Sequence, residues 1–206
     1  MTNKTWWTWL AGLGFLALGI VAIILSGGEP PSASDDSVRE IAKYYDDNSD
    51  TLMASCFLGT IASVLLVYFG SHLRNTFREA SLLGTVIFAG TIVLAVALAV
   101  DSAIQFALID AVDDPDVAIA PGAIQALGLL FDNDFLLFIL GICLYGTASG
   151  LAIIRHGVIP KWLGWAAIVF GLFVLIPHEI GFIGFIGMFL WTGVVSVYMA
   201  LQAKKV

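Results

Sequence analysis

Charged side chains, basic clusters and cysteines are all scarce in this chain of 206 residues. Only 12% of the residues are charged and 59% are hydrophobic, whereas an ordinary soluble domain has about 25% charged residues. This excludes a soluble globular domain, and it excludes disorder, which needs low hydrophobicity and high charge. The net charge of -7 argues against nucleic acid as a partner, and two cysteines, both outside the acidic loops, give no disulfide framework.

Long apolar runs dominate the chain instead. A helix needs about 20 apolar residues to cross the hydrocarbon core, and runs of that length are too continuous for barrel strands. Lys4 precedes the first run as in a signal peptide, but the run is longer than the apolar core of a usual signal peptide, so we interpret it as a span. The predicted architecture is all-α, a single membrane domain over 1–206 with six transmembrane helices: 6–26, 52–72, 82–101, 135–154, 162–177 and 181–201.

The charges predict which side of the membrane each loop faces. With six crossings, seven of the nine cations fall on one side, which the positive-inside rule places in the cytoplasm. Fifteen of the sixteen acids fall on the other side, with Glu79 the exception. We therefore expect a multi-pass plasma-membrane protein with both termini in the cytoplasm. The seven cations are Lys4, Arg74, Arg78, Arg155, Lys161, Lys204 and Lys205.

Two large outer loops, 27–51 and 102–134, are predicted to contain short amphipathic helices. Ser37 followed by Glu40 is the pattern of a capping box, so a helix is expected to begin there. In the second loop, the apolar stretch 123–131 follows a proline that suits a helix start. The acidic loops are interpreted as a solvated cap, or alternatively as a docking surface for a basic partner or cations.

A candidate polar site is expected at the outer ends of the third and fifth spans. Asp101 ends the third span, and ionisable residues within spans are functional candidates. Because the fifth span, 162–177, is short, the turn after it is expected below the outer rim, where His178 and Glu179 could meet Asp101 with Gln105 nearby. A histidine with two carboxylates can bind a metal or hold a proton. The alternative is a polar hairpin wetted by the outer interface.

Small residues predict where helices pack closely, either within one chain or in a homo-oligomer. The two cysteines, Cys56 and Cys143, lie at similar depths in spans two and four, where they are interpreted as buried thiols, with contact between them left open. The candidate packing glycines are Gly146 and Gly150 in a GxxxG pattern, and Gly181, Gly184 and Gly187 at every third position.

Two segments carry a resemblance to a known group of proteins. One is EIAKYYDDN at 40–48, which leads into the second span and its end at Leu73 and Arg74; the other is GVIPKWLGW at 157–165. Together they resemble uncharacterised bacterial multi-pass membrane proteins, often from actinobacteria, grouped as domains of unknown function. The resemblance implies a membrane protein and brings no activity, cofactor or functional residue.

Three functions are compatible with this composition. The first is a non-catalytic membrane protein that acts through a membrane-protein partner or its own oligomer, since no metal, nucleotide or catalytic motif is present and no cofactor is expected. The second is a small transporter or channel for an ion or small molecule, and the third is an outer-face enzyme or metal site at Asp101, His178 and Glu179. Transport needs a polar path through the bundle, which serine and threonine hydroxyls in the spans could line. The alternative is that these hydroxyls bond to the backbone of their own helices. The candidate lining is Thr60, Ser63, Thr85, Thr91, Thr147, Ser149, Thr192 and Ser196.

Overall fold

The computed structural model of the chain describes residues 9–27, 30–78, 81–113, 121–177 and 179–204, without the side chains at 81, 113, 179 and 204. These ranges contain helices and connecting turns and no strand, so the predicted all-α class is confirmed. The helices are α1 (Leu10–Leu25), α2 (Val38–Asp47), α3 (Ser49–Thr76), α4 (Ser81–Asp113), α5 (Pro121–Asn133), α6 (Phe135–His156), α7 (Lys161–Phe173) and α8 (Glu179–Lys204).

Several helices have the length and composition to cross a membrane. Two further apolar helices, α1 and α7, have 16 and 13 residues, or about 24 and 20 Å at the usual rise per residue. Large apolar side chains such as Ile24, Tyr68 and Phe182 are exposed, as expected where lipid covers the surface. Within the described residues, the four long candidates are Ser49–Thr76, Leu82–Val112, Pro121–His156 and Ile180–Ala203.

The six apolar helices close into a ring. In chain order α1 packs on α3, α3 on α4, α4 on α6, α6 on α7 and α7 on α8, and α8 returns to α1. The two short helices α1 and α7 are therefore full members of the bundle. Fully buried side chains fill its interior and form one continuous apolar core, among them Leu66, Phe69, Tyr145, Ala152 and Val195.

Ser196 on α8 joins the last helix of the ring to the first. Its buried hydroxyl donates to the carbonyl oxygen of Trp9 and accepts the backbone N–H of Leu13 at 3.0 Å. Leu13 lies in the first turn of α1, where backbone N–H groups most often lack partners. The serine therefore satisfies a buried polar group at the seam between the two helices.

A second, smaller core lies at one end of the ring. The 33 residues of α4 make a helix of about 50 Å, longer than the roughly 30 Å of the hydrocarbon core. Its last turns project past the ring and bury Ile104 and Leu108 against Ile41 and Tyr45 of α2 and Ile124 of α5. We call α2, α5 and this end of α4 the cap.

Both helices predicted in the acidic loops are present, and both belong to the cap. Ser37 is the N-cap of α2 and forms the complete capping box with Glu40. The helix predicted around 123–131 is α5, which begins at Pro121. These two predictions are confirmed. The carboxylate of Asp132 then accepts the Ser32 hydroxyl at 3.0 Å and the Ala33 N–H at 2.9 Å, so it ties the segment before α2 to the end of α5.

One predicted boundary needs correction, and a second is extended. The fifth span was expected to run over 162–177, but α7 ends at Phe173 and tight-turn hydrogen bonds follow, from Leu175 to Leu172 and from Ile176 to Phe173. Proline lacks an N–H and disfavours helical backbone at the residue before it, so the chain leaves the helix ahead of Pro177. The third span was predicted over 82–101 with its continuation as a helix beyond the membrane left open, and α4 does continue to Asp113, where its apolar face packs into the cap.

Candidate functional site

Asp101 and Gln105, two of the predicted site residues, lie together on α4 where the ring meets the cap. They are four residues apart, a spacing that places side chains on the same helical face. The side-chain N–H of Gln105 donates to a carboxyl oxygen of Asp101 at 3.0 Å. Burial raises the pKa of the Tyr45 hydroxyl in the cap, and the negative charges of Tyr44 and Asp101 raise it further. The charge of Asp101 is therefore close enough to the cap to influence Tyr45.

His178 and the side chain of Glu179 lie outside the described residues. Pro177, which follows α7, and Gly181, in the first turn of α8, line the same cavity as Asp101. No group of three metal-ligating side chains occurs in the part of the chain that the structure describes. A metal site or enzyme at Asp101, His178 and Glu179 stays a prediction.

Asp134 is the site residue that the sequence analysis missed. It is the N-cap of α6, and its carboxyl group lies beside that of Asp101 at the edge of the same cavity. Its Oδ2 atom is buried and has no hydrogen-bond partner among the described residues. A signal was available: Asp134 begins the fourth span and Asp101 ends the third, so antiparallel packing of the two helices brings both carboxyl groups to the same level.

The two carboxyl groups face a cavity of about 500 Å³, which we call the cap-side recess. Two neighbouring carboxylates repel each other, so a pair of this kind favours one shared proton and one negative charge. The N-terminus of α6 favours negative charge at Asp134. The recess is lined by Asp101, Asp134, Phe135, Phe138, Ile139, Ile142, Val174, Leu175, Ile176, Pro177, Gly181, Phe182 and Phe185.

A much smaller cavity, of about 20 Å³, lies deeper in the ring. Ile142 and Phe185 line both cavities and form the wall between them. Beyond this wall the hydroxyls of Tyr145 and Thr192 hydrogen-bond to each other at 3.0 Å. One turn further along α6, the buried Ser149 hydroxyl has no partner in the described part of the chain.

The hydroxyls that were considered as the lining of a polar path mostly bond to their own helices. Thr60 donates to the carbonyl of Cys56 at 2.9 Å, Thr147 to that of Cys143 at 2.5 Å, and Thr192 to that of Met188 at 2.9 Å. Such bonds leave the ring interior largely apolar. Cys56 and Cys143 are free thiols.

The candidate packing glycines lie where helices of the same chain approach closely. A Cβ atom on Gly146 would lie 2.8 Å from the Ala167 carbonyl oxygen and 2.9 Å from the Cα of Gly171 on α7. Gly150 meets α7 one turn further on, and Gly184 meets α7 from the side of α8. Gly181 approaches the carbonyl oxygen of Ile176, and Gly187 lies against the ring of Phe170. These glycines therefore let α7 fit between α6 and α8.

The chain matches no family model, no curated protein and no solved structure. A function can therefore be assigned only from the geometry of the site. The resemblance to uncharacterised bacterial membrane proteins stays a prediction. What the fold and site define is a class: an all-helical protein with four candidate membrane-spanning helices and a carboxylate-bearing recess beside the cap.

Proposed function

We propose that the chain crosses the plasma membrane six times, with both termini in the cytoplasm and the cap outside. The membership of α1 and α7 in the ring supports this, because each short helix lies beside helices long enough to span. The short connection between α6 and α7 makes them antiparallel neighbours. Arg74 and Arg155 lie in the last turns of α3 and α6, which begin at the cap, and Lys161 begins α7, which returns towards it. The positive-inside rule then favours the cytoplasm for this end of the helices.

We further propose that this membrane protein acts by binding rather than by catalysis. The observation that carries the proposal is the cap-side recess, a largely apolar cavity at the end of the ring, with two carboxyl groups at one edge. Concave apolar cavities with a few converging polar groups are the usual form of ligand sites. The occupant is a membrane-protein segment, a second copy of the chain or a small amphiphilic molecule. The intrachain use of the packing glycines favours an occupant of the recess over a glycine-mediated oligomer.

Transport of an ion or small molecule is the second candidate, and the deeper cavity favours it. Only the wall of Ile142 and Phe185 separates the recess from the Tyr145–Thr192 pair. A transporter would need this wall to open. If so, Phe185→Ala should increase flux of the bound molecule across proteoliposomes, whereas binding without flux in both wild type and variant would exclude transport.

Photo-crosslinking in native membranes tests the binding function. Phe138 lines the recess, while Leu140 on the same helix is 51% exposed on the lipid-facing side. A photoreactive p-benzoylphenylalanine replaces each residue in turn, and mass spectrometry identifies the adducts. We expect a discrete adduct at position 138 that position 140 does not give. The same distribution of bulk lipids at both positions would contradict the proposal.

A further inference from the structure

One oxygen of the carboxyl pair in the recess has no hydrogen-bond donor in the part of the chain that the structure describes. Gln105 supplies one donor to Asp101, whereas the buried Oδ2 of Asp134 has none among the described residues. No lysine, arginine or histidine occurs among the described residues that line the recess. Burying a carboxylate without a counter-charge is costly. Since the described lining supplies no positive charge, a positive charge is expected of whatever fills the recess.

The walls of the recess require the rest of the occupant to be apolar. Four phenylalanines line it, and Phe138 meets Phe185 edge-on with ring centroids 5.9 Å apart, while Phe182 stacks on Phe185 at 6.5 Å. Aromatic faces attract cations as well as apolar groups. The volume of about 500 Å³ lies within the roughly 300–1,000 Å³ typical of small-molecule sites.

We infer that the recess binds a lipophilic monocation, with its positive head beside Asp101 and Asp134 and its apolar body against the phenylalanines. This rests on the proposed binding function and deepens it by naming the class of ligand. Leu175 and Phe182, on the rim, are 54% and 65% exposed, so a molecule dissolved in the lipid reaches the recess directly. An anionic molecule would meet a charge of its own sign, and a neutral lipid chain would leave the carboxyl pair without a counter-charge.

The test uses two probes of nearly the same shape and opposite charge, tetraphenylphosphonium and tetraphenylborate. Each is titrated by equilibrium dialysis into nanodiscs that contain the full chain, and binding to empty nanodiscs of the same lipid is subtracted. We expect the phosphonium to bind about tenfold more tightly than the borate, because the negative charge of the carboxyl pair attracts the phosphonium and repels the borate. The double variant Asp101→Asn and Asp134→Asn keeps the shapes of both side chains but removes their charge, so it should lose this preference.

The control variant is Asp110→Asn, which removes an exposed acid from the same helix and should keep the preference. Circular dichroism and gel filtration verify that the variants fold, and the two single variants provide a second measure, each with an intermediate preference. Equal binding of both probes to the wild type would overturn the inference, as would a preference that survives in the double variant. A third outcome is that the wild type binds Zn²⁺ but not the phosphonium and that the double variant no longer binds Zn²⁺. This would overturn the inference in favour of a metal site.

These outcomes separate the ligand class from the binding function itself. A discrete adduct at position 138 together with no preference for the phosphonium would refute only the lipophilic monocation. Bulk lipid alone at position 138 would refute the binding function as well.

Discussion

The carboxyl groups of Asp101, on α4, and Asp134, at the start of α6, lie next to each other across two packed helices. The pair lies between the ring and the cap and borders the recess. Two partly buried acids in contact are a costly arrangement for a membrane protein. Their presence is best understood as a requirement of the site rather than of the fold. The fold should therefore be more stable without them.

Replacing both acids with leucine should stabilise the protein. Exchanging a buried polar pair for apolar groups of similar size is often neutral or stabilising, by about 1–4 kcal/mol. We expect the variant Asp101→Leu and Asp134→Leu to unfold at a higher temperature than the wild type in detergent, while Asp110→Asn leaves the midpoint unchanged. A lower midpoint for the double variant would mean that the acids hold α4 and α6 together.

Adding a single methyl group at Gly146 should destabilise the bundle. The new Cβ would lie 2.8 Å from one backbone atom of α7 and 2.9 Å from another, and backbone cannot move aside as a flexible side chain can. Overpacking of this kind costs about 1–3 kcal/mol. Thermal unfolding of Gly146→Ala measures the loss. In the control Gly122→Ala the Cβ meets no atom within 4 Å, so unaltered or slightly higher stability is expected there; an equal loss in both would argue against close α6–α7 packing.

Ser37→Ala should raise the pKa of Glu40. The Ser37 hydroxyl and backbone N–H donate to the Glu40 carboxylate at 2.7 and 2.9 Å, and both bonds lower the pKa of that carboxyl below its ordinary value. A carboxyl group with a lowered pKa stabilises the fold above its ordinary pKa and loses that effect as the pH falls through the lowered value. Removing the hydroxyl removes the larger of the two contributions.

The measurement for this prediction is a carbon NMR titration of the glutamate carboxyls in labelled protein. The pKa of Glu40 should rise towards its ordinary value in Ser37→Ala, and faster amide exchange in the first turn of α2 should accompany the lost cap. Ser34→Ala, in the same segment, should leave the pKa of Glu40 as it is in the wild type. An unshifted pKa in Ser37→Ala would show that the capping box is not formed in solution.

Cysteine labelling should place the cap and the α6–α7 turn on opposite sides of the membrane. In a background with Cys56→Ala and Cys143→Ala, a membrane-impermeant maleimide should label Asp46→Cys, an exposed cap position, in intact cells. Lys161→Cys, also exposed, should react only after the cells are permeabilised. The reverse pattern would refute the proposed orientation, and labelling of both positions in intact cells would refute the number of crossings.

Much of the secondary structure follows from the sequence because its signals are local. Runs of apolar residues predict α3, α6 and α8 to within a few residues, and the capping box predicts the start of α2. Hydrogen bonds within a helix join residues four apart, so composition over a few turns decides whether a segment is helical. Asp101 and Gln105 could be placed in a candidate site for the same reason, since one lies at a span boundary and the other follows one turn later.

Tertiary packing decided which distant parts of the chain meet. The contact between Asp101 and Asp134, the return of α8 to α1 through Ser196, and the burial of the end of α4 in the cap all join residues far apart in the chain. Apolar periodicity shows that a helix has a face to bury but not which helix covers it, because apolar side chains attract one another without direction or partner preference. The sequence alone therefore determined the helices, and only their packing determined which acids meet and where a recess is left open.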